Sequence, residues 1–122
     1  MAFGPATPIL RIFDEAKAKE FYCGFLGFGI DWEHRFGENF PLYMQVSSGE
    51  CRLHLSEHYG DSAPGATLRI DVPDVDGLAT ALRAKAYKYA KPGVEAMPWA
   101  RETRITDPFG NQLIFFTNPP AD

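Results

Sequence analysis

The string His54-Leu55-Ser56-Glu57-His58 has the H-x-x-E-H order of inverted zinc peptidases, in which two histidines hold the metal and the glutamate serves as base. That chemistry needs a helix. There, positions i and i+4 lie about 6 Å apart, whereas on a strand they are about 13 Å apart. Cys51, Leu53 and Leu55 alternate with Arg52, His54 and Ser56 as strand residues do. The two histidines are therefore expected to diverge, with His58 in solvent or in a hydrogen bond. His54 is left as a pH-sensitive group on a strand face, or as a histidine satisfied by its neighbours. His34 lies nearer a loop and is expected to be exposed.

Aromatic residues are the second chemical resource. Trp32, Phe40, Tyr43 and Trp99 can serve as stacking platforms or as ordinary packing, and residue type alone leaves both readings open. Phe21, Phe25, Phe28 and Phe115 fit the core. Cys23 and Cys51 are far apart in sequence without a CxxC partner, which reads as two free thiols. No G-x-S-x-G and no phosphate-binding loop is present, so a hydrolase or a nucleotide enzyme is disfavoured.

These residues must be held by elements that the pattern makes visible. Thr7 to Phe13 reads as a strand, followed by Asp14 as an N-cap. Ala18, Phe21, Tyr22, Phe25 and Leu26 then form a helical stripe that Gly27 stops. Phe28–Phe36, Pro41–Ser47 and Cys51–Ser56 read as three strands separated by turns. After a loop at Tyr59–Gly65 the order starts again. Thr67–Val72 is a strand, Asp74 caps a helix with Val75, Leu78, Ala79, Leu82 and Ala86 on one face, and Arg101–Thr106 and Gln112–Thr117 are strands around the loop Asp107–Asn111. No glycine stands where the second helix should end, so Ala86 is expected to bear a strained left-handed conformation.

Thr7 and Thr67, Leu10 and Ile70, Asp14 and Asp74, and Leu53 and Leu113 match at one constant offset of 60 positions, about half the length of the chain. Two βαβββ modules follow, at about residues 5–58 and 65–118, in a single α+β domain whose curved mixed sheet carries helices on its outer face. Strand alternation sends Leu42, Met44, Val46, Leu53, Leu55, Leu113 and Phe115 under the helices. Tyr43, Gln45, Arg52, His54, Ser56, Thr67, Arg69, Gln112, Ile114 and Phe116 go to the opposite, concave face, with Thr7, Ile9 and Arg11. Such a wall suits a flat or amphipathic small molecule.

The chain has 122 residues, 45% of them hydrophobic, and a formal net charge of −4. That is enough for one core without disulfides, and too acidic for a protein that neutralises many phosphates, so nucleic acid is not an expected partner. The N-terminus shows no secretory pattern and no apolar run reaches the ~20 residues of a membrane helix, which points to a cytoplasmic protein without membrane contact.

The segments PILRIFD, FYCGFLGFG and TDPFGNQLIFF, in a paired βαβββ layout, resemble the vicinal oxygen chelate superfamily, which holds glyoxalase I, extradiol dioxygenases and bleomycin resistance proteins. The resemblance implies metal positions on the first, fourth, fifth and eighth strands, which here are Thr7, His54, Thr67 and Ile114. Only His54 is a good ligand for a divalent ion, so the resemblance favours the metal-free, bleomycin resistance-like branch, with no cofactor. It also implies a homodimer with ligand grooves formed across it. The expected function is antibiotic resistance by stoichiometric sequestration of a bleomycin-like or planar aromatic drug. Its expected contacts are Trp32, His34, Phe40, Tyr43, Gln45, His54, Arg69, Trp99, Ile114 and Phe116. Asp31 and Glu33 would suit a cationic ligand, whereas Arg11 and Arg69 would favour an anionic or phenolate one. The alternative is a metal-dependent glyoxalase-like lyase or dioxygenase with a non-standard ligand set around His54.

Overall fold

The computed structural model describes residues 1–119, and in it the chain forms two compact units, Met1–Pro64 and a second that begins at Gly65. The first contains β1 (Ile9–Arg11), α1 (Glu15–Lys19), β2 (Gly29–His34), β3 (Tyr43–Ser48) and β4 (Cys51–Ser56). The second contains β5 (Thr67–Asp71), α2 (Val75–Ala84), β6 (Glu95–Ala96), β7 (Arg101–Thr106) and β8 (Gln112–Thr117). Each unit has its own four-stranded mixed sheet, ordered β1-β4-β3-β2 and β5-β8-β7-β6, with one parallel pair in each, so the fold is α+β with a repeated module. The short strand β6 lies between α2 and β7, where the sequence reading assigned no strand.

The repeat is visible in the ladders themselves. Ile9 stands opposite His54 in the parallel pair β1/β4, and Arg69 opposite Ile114 in β5/β8, each partner sixty positions on. Thr7 precedes β1, and Thr67 is level with Gln112, so neither threonine is at the level of His54 or Ile114.

Both helices start as their caps dictate. The Asp14 side chain accepts from Lys17 N at 2.9 Å and that of Asp74 from Gly77 N at 3.0 Å. After Lys19 the first helix widens into a π-helical stretch, Glu20–Phe25, and the Leu26 amide donates to the Phe21 carbonyl at 2.9 Å. Gly27, at φ +84°, then turns the chain. Ala18, Phe21, Tyr22 and Phe25 of this helical segment are buried, as are Leu42, Met44, Val46, Leu53 and Leu55 of the sheet. In the second unit Val75, Ala79 and Leu82 are buried along with Ile105, Leu113 and Phe115. Ala86 is not part of that buried stripe. The helix ends at Ala84, and Ala86 is exposed, at φ +53°.

The loop between β7 and β8 is tied by one carboxylate. Asp107 Oδ1 accepts from the amides of Phe109 and Asn111, both at 2.8 Å, and its Oδ2 accepts from Asn111 Nδ2 at 2.8 Å.

Candidate functional site

Strand alternation delivers Tyr43 and Gln45 of β3 and His54 of β4 to one face while Met44, Val46, Leu53 and Leu55 are buried on the other. β2 needs one further device. Ile30 pairs with Val46, but Trp32 pairs with Gln45, because Asp31 is an extra residue in the ladder. Without this bulge Trp32 and Ile30, two apart, would share a face; with it, Trp32 and His34 join Tyr43, Gln45 and His54.

The resulting cluster is tightly connected. Trp32 stacks on Tyr43 with centroids 6.0 Å apart and planes 11° apart, and meets the His54 ring edge-on at 5.3 Å. The Tyr43 hydroxyl is 2.6 Å from His54 Nδ1, and His54 Nε2 is 3.0 Å from Gln45 Oε1. Gln45 Nε2 donates to Asp31 Oδ2 at 2.9 Å, and Ser47 Oγ to Asp31 Oδ1 at 3.0 Å. These two donors, Gln45 first, hold the Asp31 carboxyl below its ordinary value. Burial, and then the negative charge of Asp61, push the Tyr43 phenol up.

Beside this wall is a hollow of about 390 Å³ lined by Trp32, His34, Phe36, Tyr43, His58 and Asp61. Phe36 packs edge-on against both His34 (4.6 Å) and His58 (5.7 Å). Phe36, His58 and Asp61 were not among the expected contacts. His58, expected in solvent or in a hydrogen bond, is half-buried, and its Nε2 has no hydrogen-bond partner. Since β4 is a strand that ends at Ser56, the H-x-x-E-H string does not stack its histidines on a helix. Phe40 lies outside the hollow, with its ring against Gly37 and its carbonyl accepting from Arg35 at 2.8 Å. Glu33 pairs with Lys19 at 2.9 Å.

The other expected contacts are in the second unit. Arg69 Nη1 donates to Glu102 Oε2 at 2.6 Å, and Trp99 Nε1 donates to the same oxygen at 2.7 Å. The Arg69 guanidinium lies 4.4 Å from the centroid of the Phe116 ring, and Ile114 is buried. Glu102, whose side chain is only 8% exposed, is held below the ordinary carboxylate range by Arg69 first and Trp99 second. The Arg69 charge is thus engaged within its own unit. Sequence reading missed Glu102 because Arg69 and Glu102 are on non-adjacent strands, and only the order β5-β8-β7 brings them together. The ten expected contacts therefore form two groups, six residues in one unit and four in the other.

A family model described as glyoxalase superfamily protein matches residues 1–120. The chain belongs to the glyoxalase superfamily. Among solved structures it is similar to a bleomycin-binding protein from bleomycin-producing Streptomyces verticillus complexed with copper(II)-bleomycin, at 30% identity and a TM-score of 0.72, covering 98% of this chain and 99% of that one. It shares its fold with TnmS3, an antibiotic-binding protein from Streptomyces sp. CB03234 (24% identity, TM-score 0.77, 98% and 99% coverage). The same holds for a glyoxylase/bleomycin resistance protein/dioxygenase domain from Frankia sp. EAN1pec (16%, 0.78, 100% and 96%). None of the curated protein sequences matches significantly.

Metal-dependent branches of the glyoxalase superfamily require a donor set that these residues do not supply. At the level of His54 the register places Ile9, and on β5 and β8 it places Arg69 and Ile114, none of which can ligate a divalent ion. His54 itself has Tyr43 on one ring nitrogen and Gln45 on the other. Among the described residues, no group of three or more His, Cys, Asp or Glu side chains could hold a metal ion. No helix there is long and apolar enough to cross a membrane.

Proposed function

We propose that this protein binds a bleomycin-like or planar aromatic drug and protects its host by stoichiometric sequestration, without chemical turnover. The observation that carries this reading is the Trp32/Tyr43 stack, braced by His54 and opening on the hollow with Phe36, His34 and His58. A preorganised aromatic wall offers a flat heterocycle about 1–3 kcal/mol per stacked ring. The 30% identity to a bleomycin-binding protein over nearly the whole of both chains supports the same reading. Arg69, Trp99, Ile114 and Phe116 form the second contact group. In this proposal the protein works in the cytoplasm as a homodimer, with each ligand groove formed across the dimer. Its partners are the drug and a second copy of the chain, with no nucleic acid and no membrane.

Thermal and chemical denaturation with bleomycin and with copper(II)-bleomycin tests this. At a hundred times its dissociation constant, a ligand specific for the folded state adds about 2.7 kcal/mol of stability. We expect saturable stabilisation, recovery of the drug unchanged, and a dimer on sedimentation. A flat response to bleomycin and to planar polyketide antibiotics would overturn the binding reading, chemical modification of the drug would overturn sequestration, and a monomer would remove the cross-subunit groove.

A further inference from the structure

The order of protons along Asp31, Gln45, His54 and Tyr43 follows from the chemistry of the groups. An ionised carboxylate only accepts hydrogen bonds, so the Gln45 group facing Asp31 must be its NH2, and its carbonyl oxygen then faces His54 Nε2. A carbonyl only accepts, so Nε2 carries the proton. In the neutral ring Nδ1 is then a bare acceptor, and Tyr43 donates its hydroxyl proton to it across 2.6 Å. The raised phenol of Tyr43 agrees with a proton kept on that oxygen. Tyr43 has no proton left for a ligand, and its oxygen can only accept.

The hollow that Tyr43 lines has three aromatic side chains, Trp32, Phe36 and Tyr43, and a single carboxylate, Asp61, which accepts from Ser56 Oγ at 2.6 Å. Its other lining residues are His34 and His58, and no lysine or arginine lines it. Asp61 is the acidic group of the hollow because it lines it; Asp31, which accepts from Gln45 and Ser47, and Glu33, which pairs with Lys19, do not. Aromatic faces attract cations through their quadrupoles, most strongly when no competing cation is present. We propose that this hollow takes an organic cation bearing an N–H, a protonated amine on an apolar or aromatic body, with the ammonium between the aromatic faces and Asp61 and its N–H donated to the Tyr43 oxygen. This rests on the small-molecule-binding reading above and assigns it a ligand class.

Titration calorimetry at pH 8, above the ordinary imidazole range, with three probes of similar shape tests the assignment. Benzylammonium should bind about tenfold more tightly than benzyl alcohol, with benzyltrimethylammonium, which is charged but has no N–H, in between. Tyr43→Phe should bring benzylammonium down to the level of benzyltrimethylammonium, and Asp61→Asn should weaken both cations while leaving the alcohol unchanged. If either variant fails to fold, the three-probe comparison on the unaltered protein decides. Equal binding of alcohol and cations would overturn the cation assignment and leave small-molecule binding standing. So would binding of bleomycin but of none of the probes. If the probes, bleomycin and the planar polyketide antibiotics all fail to bind, both readings fall.

Discussion

Ala86→Gly is expected to stabilise the protein. Helix α2 closes at Ala84 with Lys85 as its C-cap, whose amide donates to the Leu82 carbonyl at 3.2 Å, while the Ala86 amide donates to the Arg83 carbonyl at 3.0 Å. Ala86 follows at φ +53°, the position where helices usually place glycine. An L-residue held there loses about 1–2 kcal/mol to the clash of its Cβ with the following carbonyl. Glycine avoids that clash but has more backbone freedom to lose on folding, which costs about 0.5–1 kcal/mol. The difference leaves a gain of about 0.5–1 kcal/mol. For a chain of this length that is about 2–4 °C in Tm. Ala86 is exposed, so the change removes no buried surface that would confuse the reading. Urea denaturation, with a check that the m-value is unchanged, measures it. A loss of about 0.5–1 kcal/mol would mean that Ala86 has ordinary helical dihedrals and that α2 continues through it.

Three further outcomes are expected. Trp32→Ala removes the ring stacked on Tyr43 and should weaken bleomycin binding by about 1–3 kcal/mol, against about 1 kcal/mol for His54→Ala; unchanged affinity in the Trp32 variant, measured by calorimetry, would move the site elsewhere. Deleting Asp31 removes the extra residue of β2 and leaves Trp32 opposite Gln45, so Trp32 should keep its face beside His54 and bleomycin binding should persist; loss of binding with the circular dichroism of the folded state kept would refute this account of the bulge. The carboxyls of Glu15, Asp31, Asp76 and Glu102 lie below their ordinary values of 4.5 and 3.8 in the folded state, so their contribution is complete above those values and disappears as the pH falls through the folded ones. The urea midpoint should therefore drop between pH 5 and pH 3, and a midpoint that stays level over that range would show that these ion pairs and hydrogen bonds do not favour the folded state.

Elements were legible where one period dominated. Cys51–Ser56 alternates, Arg101–Thr106 and Gln112–Thr117 are bounded by turn residues, and all three strand limits coincide with the sequence reading. The first helix was legible as a stripe, but not its π-helical second half, because a register of five residues per bond leaves nearly the same apolar face. β6 has only two residues, Glu95 and Ala96, both exposed; it exists because β7 offers an edge, which no local pattern reports.

Site residues were legible to the extent that alternation alone decides a face. Tyr43, Gln45 and His54 follow from it, whereas Trp32 reaches their face only through the Asp31 bulge, and Phe36, His58 and Asp61 enter from loops that have no period to read. Charge was the least legible property. As isolated letters, Arg11 and Arg69 argue for an anionic ligand, and Asp31 and Glu33 for a cationic one. Once strand order is known, Arg69 is engaged by Glu102, Glu33 by Lys19, and Asp31 by Gln45 and Ser47. Arg11 donates to the carbonyls of Ile12 and Ser56 at 3.0 and 3.4 Å and lies over the Phe13 ring, so it too is engaged. Ion pairing cancels the charges of Arg69 and Glu33 within their own units, while the neutral partners of Asp31 and Arg11 hold them in place without cancelling charge. In the proposed reading, the ligand preference of the aromatic hollow then rests on Asp61 and on the direction of one phenolic proton, a choice set by Gln45, which at the level of sequence is only an uncharged residue on a strand.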